Sequence, residues 1–297
     1  PDGRRMSKSL GTGIDPLELV ERYGADATRY GLLKMSSAQD VRFSEGAIEE
    51  GRRLANKLWN VSRLILANAG EALPQARPQA LEERWILARL DRARAEVEEA
   101  LESFELARAT SVLYHLTFDD FCDWYAEAIK PRLYAGDADA RATALFALER
   151  LLLLLHPFLP HVSEEVWSHL PARERRLIVS PWPEPDDRFA AEGDALERVK
   201  EAATIFRRSG VRVPLDGEEL RIFEAVVRPQ RLRVDGKVEV ECERLRKEIE
   251  RCQRLLANES FLRKAPPEVV AAERAKLARY QREREALGCA DGPPTSG

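Results

Sequence analysis

The sequence holds no run of the roughly 18–20 apolar residues that a membrane-spanning helix requires, and no apolar stretch of a secretory signal near its start. A soluble, cytoplasmic chain is therefore expected. Cysteine is scarce: Cys122, Cys242, Cys252 and Cys289 are present, and no two are spaced Cys-x-x-Cys. That spacing argues for neither a zinc module nor a disulfide framework, so reduced thiols are expected. The histidines are isolated, with His156 and His161 flanking a proline-rich break, and no metal site is expected. A surplus of positive charge is also missing: 47 Lys and Arg stand against 51 Asp and Glu, a net charge of −4. This excludes a uniformly basic nucleic-acid binder but leaves local contacts with a polyanion open. The first residue is Pro1 rather than Met, and the chain is expected to be a piece of a longer one.

What is present is charge and helical periodicity. Charged residues make up 33% of the 297 positions, above the usual quarter, and hydrophobic residues an ordinary 44%. That composition and length suit two or three folded domains. The charge is unevenly spread. Residues 1–60 carry 10 basic and 9 acidic side chains, residues 61–236 carry 24 and 31, and residues 237–287 carry 13 and 10. The acidic surplus lies in the middle, and the two ends are mildly electropositive.

From about residue 47 to 69, Leu54, Leu58, Val61 and Ile65 recur on one helical face. The stretch GEALPQARPQ reads as a loop. A second helix places Ile86, Leu90, Ala93, Val97, Leu101 and Phe104 on one stripe. A third carries Leu106, Ala109, Leu113 and Leu116, then Phe121, Trp124, Ala128 and Ile129, with Pro131 expected to end or kink it. Asp137 or Asp139 suits an N-cap for a helix burying Ala142, Leu145, Leu148, Leu152 and Leu155. HPFLPH breaks the pattern before a short helix near 162–170. Such a series predicts a helical bundle. Beyond SPWPEPDD a helix is expected over 193–208. Then VRVPL, LRIFEAVV and LRVDGKVEV suggest short strands with a turn at Asp235-Gly236, hence a small mixed α/β unit.

From Val238 the spacing becomes a heptad: Val238, Cys242, Leu245, Ile249, Cys252 and Leu256, with charges between. A breaker follows, then a second charged helix to Leu287. Val270, Leu277, Tyr280 and Leu287 fit its seam, while Glu273 and Arg284 do not. Two such helices predict an antiparallel hairpin, in which the seam cysteines act as small apolar core residues.

One stretch before any helix is rich in phosphate-binding chemistry: GRRMSKSLGTGIDP. Lys8 is a compact point charge, Ser7 and Ser9 donate hydrogen bonds, and Gly11 and Gly13 permit unusual backbone angles. Asp15 and Pro16 then suit the cap and first position of a helix. The run Arg5-Met6-Ser7-Lys8-Ser9 resembles the KMSKS signature of class I aminoacyl-tRNA ligases. GIDPLELVERYGADATRYGLL resembles the stem-contact segment that follows it. LANKLWN, DFCDWYAEAIKPRLY and LLHPFLPHVSEEVW resemble successive parts of the anticodon-binding bundle of the valine, isoleucine and leucine enzymes. NESFLRKAPPEVVAAERAKL resembles the C-terminal coiled coil of the valine enzymes, and AQDVRF their pattern after the stem-contact helix. Arg5 stands where the signature has lysine, and Thr12 where Asn is frequent, which leaves both roles open.

The resemblance implies a mainly α chain divided as follows. Residues 1–46 hold the KMSKS-like loop and stem-contact segment, 47–190 the anticodon-binding helical bundle, and 191–236 the small α/β unit. Residues 237–287 form the coiled-coil tRNA-binding arm, and 288–297 a disordered tail. It implies the C-terminal part of a ligase that joins valine to tRNA(Val) through valyl-adenylate. Its substrate ATP, accompanied by Mg2+, would be met by Arg5, Met6, Ser7, Lys8 and Ser9, with Lys8 the catalytic residue. Valine binding and editing belong to N-terminal domains absent from these residues, so the portion alone is expected to be inactive. By the same resemblance, Asn56, Lys57, Asn60 and Arg63 are expected to meet the anticodon. Arg244, Arg251, Arg254, Arg263, Lys264, Arg274, Lys276 and Arg279 are potential phosphate contacts of the arm, not all of which serve. A monomer is expected. The alternatives are a sister ligase for isoleucine or leucine, or a free-standing, non-catalytic tRNA-binding protein.

Overall fold

The computed structural model describes residues 13–36, 43–172, 175–228 and 238–289, without the side chains of Glu239, Ser260 and Lys264. The fold is mainly α, as the periodicity predicts, and divides into two compact units at Ala195/Leu196. The first begins with α1 (Pro16–Tyr23), whose start is capped as expected: the Asp15 carboxylate accepts from the Leu17 amide at 2.9 Å and Pro16 opens the helix. Helix α2 (Ala25–Lys34) follows and packs closely along α3 (Glu45–Asn68).

Two glycines make that contact possible. A β-carbon on Gly31 would sit 2.9 Å from the backbone N and Cα of Ile48, and one on Gly51 would sit 2.7 Å from the Tyr30 ring. Helices α1 and α2 therefore share one core with α3, in which Leu19, Ala27 and Ile48 are buried together. The seam also holds charge. Glu50 on α3 accepts from Tyr30 Oη at 2.6 Å and from Lys34 Nζ. Burial raises the Glu50 pKa, but these two donors outweigh it and hold the carboxyl below its usual range. Alanine normally favours a helix interior over glycine by about 0.8–1.0 kcal/mol. Gly31→Ala is nevertheless expected to destabilise the unit by about 1–3 kcal/mol, because backbone atoms of Ile48 cannot step aside. Gly46→Ala, where the nearest atom is a serine hydroxyl at 3.4 Å, serves as the control. Equal denaturation midpoints for the two variants would refute the packing argument.

The bundle continues with α4 (Leu81–Glu102), α5 (Leu106–His115), a π-helical stretch π1 (Leu116–Tyr125), α6 (Ala126–Ala135), α7 (Ala138–Leu155) and α8 (Pro160–Ser168). The core is the one the stripes predict, including Ile86, Val97, Leu113, Phe121, Ile129, Leu145, Leu148 and Leu152. Phe104 is a correction: it is 85% exposed. The helix stops at Glu102, and Phe104 takes a left-handed φ of 56° while Glu105 N donates to Ala100 O at 2.7 Å. That is a Schellman ending, which turns Phe104 off the apolar stripe. Of the two outcomes expected at Pro131, an end or a kink, the end does not occur: Pro131 lies inside α6. One further turn forms because Leu133 is buried and Arg132 is ion-paired, and the chain stops at Gly136 with φ 81°. Asp137 caps α7 by accepting from Asp139 N and Ala140 N.

The second unit contains α9 (Glu197–Ser209), α10 (Gly217–Val227), α11 (Val238–Leu256), α12 (Glu259–Lys264) and α13 (Pro267–Ala286). The expected α/β character of 191–236 is corrected: its described residues contain helices and no strand. LRIFEAVV lies in α10, where Ile222, Phe223 and Val227 form a buried helical face and the Phe223 ring meets Phe206 of α9 edge-on. The alternation of that run was a short-window coincidence, and Glu218 and Glu219 in the first turn favour the helix. The Asp235-Gly236 turn lies outside the described residues.

Helices α11 and α13 pair as the antiparallel hairpin that the heptad predicts. Leu245, Ile249 and Cys252 are buried in the seam, together with Glu241, Glu273 and Glu283. The expectation of reduced thiols throughout is corrected. Cys242 is bonded to Cys289 across 47 residues, because the returning α13 brings Cys289 beside the first turn of α11. Cys122 and Cys252 remain free and buried. Of the tail expected to be disordered, Gly288 and Cys289 are described; residues 290–297 lie outside the described residues.

Candidate nucleic-acid interface

The segment GADATRY positions the first face. Asp26, almost wholly buried, accepts from the amides of His161 at 3.0 Å and Val162 at 2.7 Å, so it caps α8 from 135 residues away. Arg29 donates through Nε and Nη2 to Pro157 O at 3.1 and 3.0 Å. The break HPFLPH is thus the socket into which α2 docks. His156 belongs to the packing, with Nδ1 2.8 Å from Ser163 Oγ, and burial lowers its pKa. Beside the socket lies a groove of about 350 Å³ lined by Tyr23, Ala25, Asp26, Arg52, Asn56 and His161.

The groove opens onto a polar stripe along α3. Arg52, Asn56, Asn60 and Arg63 are exposed at helical spacing, opposite buried Leu54, Leu58, Val61 and Ile65. Arg52 was missed in the sequence, although its place one turn before Asn56 was a usable signal. Lys57 is half-buried and differs from its neighbours. Its Nζ lies 2.6 Å from Asp123 Oδ1 and 3.2 Å from the centre of the Phe118 ring. Its charge ties α3 to π1. Trp124 is core, while Trp59 is half-buried.

The hairpin forms the second face, and the structure sorts its cations. Arg251 and Lys276 both bind buried Glu273, at 3.0 and 3.1 Å. The hydrogen bond from the Cys252 thiol and the Lys276 ammonium hold the Glu273 carboxyl below its usual range. Arg208 of α9 bonds Glu241 and reaches Glu283 at 3.0 Å, joined by Arg244 at 2.9 Å from Glu241, with Arg279 at 3.8 Å from Glu283. Burial raises the Glu241 pKa, but the two guanidinium donors outweigh it and leave the carboxyl ionised. Arg254, Arg263 and Arg274 are exposed and have no carboxylate partner among the described residues. Sequence alone marked Glu273 as a misfit of the seam; the structure makes it the ligand of two cations.

Arg5, Met6, Ser7, Lys8 and Ser9 lie outside the described residues, as does the side chain of Lys264. Among the described residues no cluster of three His, Cys, Asp or Glu is arranged to hold a metal ion. No helix among them is long and apolar enough to cross a membrane.

Comparison with known proteins agrees with this arrangement. Residues 1–44 match the family described as tRNA synthetases class I (I, L, M and V). Residues 83–216 match the anticodon-binding domain of tRNA ligase. A solved structure, the ternary complex of Agrobacterium radiobacter K84 agnB2 LeuRS with tRNA and LeuAMS, is similar at TM-score 0.51 and 25% identity over 63% of this chain and 23% of that one. The helical fold and the order of these segments define a portion of a class I aminoacyl-tRNA synthetase. Residues 234–289 match the valyl tRNA synthetase tRNA binding arm. Valine–tRNA ligases of Geobacillus kaustophilus, Carboxydothermus hydrogenoformans and Thermus thermophilus are 34%, 35% and 36% identical over 96% of this chain. These matches support a portion of a valyl-tRNA synthetase, and the chain spans about two fifths of the length of these relatives, 39–40%.

Proposed function

We propose that this chain is the tRNA-handling part of a monomeric enzyme that joins valine to tRNA(Val) at the expense of ATP. The hairpin carries the reading: its match to the valyl arm is joined by exposed Arg254, Arg263 and Arg274, which no carboxylate among the described residues neutralises. On this reading the arm holds the tRNA backbone and the α3 stripe meets the anticodon. Unstacked anticodon bases are read by edge hydrogen bonds, for which Asn56 and Asn60 carry both donors and acceptors. Arg5 to Ser9 meet the phosphates of ATP, which enters with Mg2+. The cations and hydroxyls of this segment suit phosphate oxygens, and Lys8 neutralises charge growing on the departing pyrophosphate. Valine selection and editing fall to other domains, so these residues alone do not charge tRNA.

Deleting residues 238–289 from the complete enzyme tests the reading. Affinity for tRNA(Val) is expected to fall at least tenfold. The slope of log affinity against log salt is expected to flatten by about 2–3, since each lost phosphate contact removes about 0.7–0.9. Unchanged affinity and slope would show that the arm makes no contact.

A further inference from the structure

The bond between Cys242 and Cys289 has a built geometry. Helix α13 ends at Ala286, and Gly288 takes φ 64° while Cys289 N donates back to Arg284 O at 3.3 Å. This turn brings Cys289 back onto α11, with the two Cα atoms 5.7 Å apart, inside the span that a disulfide requires. The bond closes a loop that contains the hairpin from Cys242 onward.

That hairpin has little else to hold its root. Glu241, Glu273 and Glu283 occupy buried seam positions where apolar side chains would otherwise pack. Val238 and Val240, in the first turn of α11, are 40% and 66% exposed. Without the bond, the root rests on buried Leu287, the Arg208 ion cluster and the packing of α13 on α9, where Arg282 lies 3.6 Å from Glu201. Helix ends with so thin a seam fray.

We propose that Cys242 and Cys289 form a redox-operated clasp that closes and opens the root of the α11–α13 hairpin. Closure proceeds by thiol–disulfide exchange with a small disulfide such as oxidised glutathione. One cysteine thiolate attacks it and releases one glutathione thiol. The second cysteine thiolate then attacks the mixed disulfide, forming the intramolecular S–S bond and releasing the second. Two thiols are oxidised, one disulfide is reduced, and both protons pass to the glutathione thiols. Excess thiol reverses both steps. The pair is selective because Cys242 and Cys289 are only partly covered, whereas Cys122 and Cys252 are buried. An effect on RNA binding rests additionally on the arm reading given above.

The test uses the complete protein, equilibrated with oxidised glutathione or with excess dithiothreitol. Peptide mapping is expected to show a Cys242–Cys289 cross-link only in the first. Amide exchange over 238–245 and 283–289 is expected to be about tenfold slower in the oxidised form. Cys289→Ser, which cannot close, is expected to show the fast exchange in both buffers, and Cys122→Ser to behave as the parent. No cross-link under oxidation, or equal exchange in both forms, would overturn the clasp. Slowed exchange with identical tRNA affinity in both forms would leave the clasp standing and show that it does not act on tRNA binding, while the arm reading is decided by the deletion of 238–289.

Discussion

In the complete enzyme, replacing Lys8 by alanine is expected to slow valyl-adenylate formation by about 10²–10³-fold, the usual effect of removing one preorganised electrostatic partner. The proposed reaction passes through no covalent enzyme intermediate, so acceleration comes from positioning and from stabilising charge as it develops. A valine carboxylate attacking the α-phosphate pushes negative charge onto pyrophosphate. A lysine ammonium meets that charge without the planar geometry that a guanidinium demands. With Lys8 acting on the leaving group as proposed, tRNA affinity is expected to stay within about twofold, and single-turnover adenylate formation is expected to carry the loss. Arg5→Lys restores the signature residue and keeps the charge, so a change of no more than a few-fold is expected there. An unchanged adenylation rate in Lys8→Ala would sink the phosphate role of the loop.

Glu83→Ala is expected to destabilise the first unit by about 2–4 kcal/mol, since it leaves two amides without their acceptor and a partly buried guanidinium with Asp137 as its remaining close partner. Glu83 is fully buried in the first turn of α4. Its Oε2 accepts from Gln79 N at 2.7 Å and Ala80 N at 2.9 Å and lies 2.8 Å from Arg132 Nη1 on α6. Arg132 is held in turn by Asp137, the cap of α7, at 2.8 Å. One carboxylate therefore starts α4 and fastens it to the α6–α7 junction. Burial lowers the Arg132 pKa, but Glu83 and Asp137 outweigh it and raise it, which keeps the guanidinium charged. Glu83→Gln retains acceptors for the two amides but loses the charge pair, so it is expected to fall between the parent and alanine. Urea unfolding at constant slope reads the difference. A loss below about 1 kcal/mol for Glu83→Ala would mean that the network is not a structural keystone.

The helices were legible because helix formation and amphipathic burial leave a local mark. Leu54, Leu58, Val61 and Ile65 recur at helical spacing, and the Asp15-Pro16 start and the Asp137 cap occupy positions whose chemistry is set by neighbours two or three residues away. The heptad from Val238 announced a hairpin for the same reason. Two local signals misled. Alternation in LRIFEAVV was too short to tell a strand from a helix, and Phe104 continued a stripe that the backbone leaves at Glu102. The proposed phosphate loop rests on composition and resemblance alone, since Arg5 to Ser9 lie outside the described residues. The α3 stripe was legible by spacing, apart from Arg52, which the spacing reading left out, and Lys57, which Asp123 draws away.

By itself, then, the sequence determined where helices form, which faces they bury, and which segments carry cations and hydroxyls suited to phosphate. Only the tertiary structure decided how those charges are employed. Asp26 and Arg29 serve a turn more than 125 residues away, Lys57 is taken by Asp123, and Arg251 and Lys276 are drawn onto Glu273 while Arg254 stays exposed. Cys242 meets Cys289 because an antiparallel return and the Gly288 turn bring them together. Helical periodicity is a relation among residues three and four apart. The partner of a charge or a thiol depends on which helices the fold lays side by side, and no spacing along the chain encodes that distance.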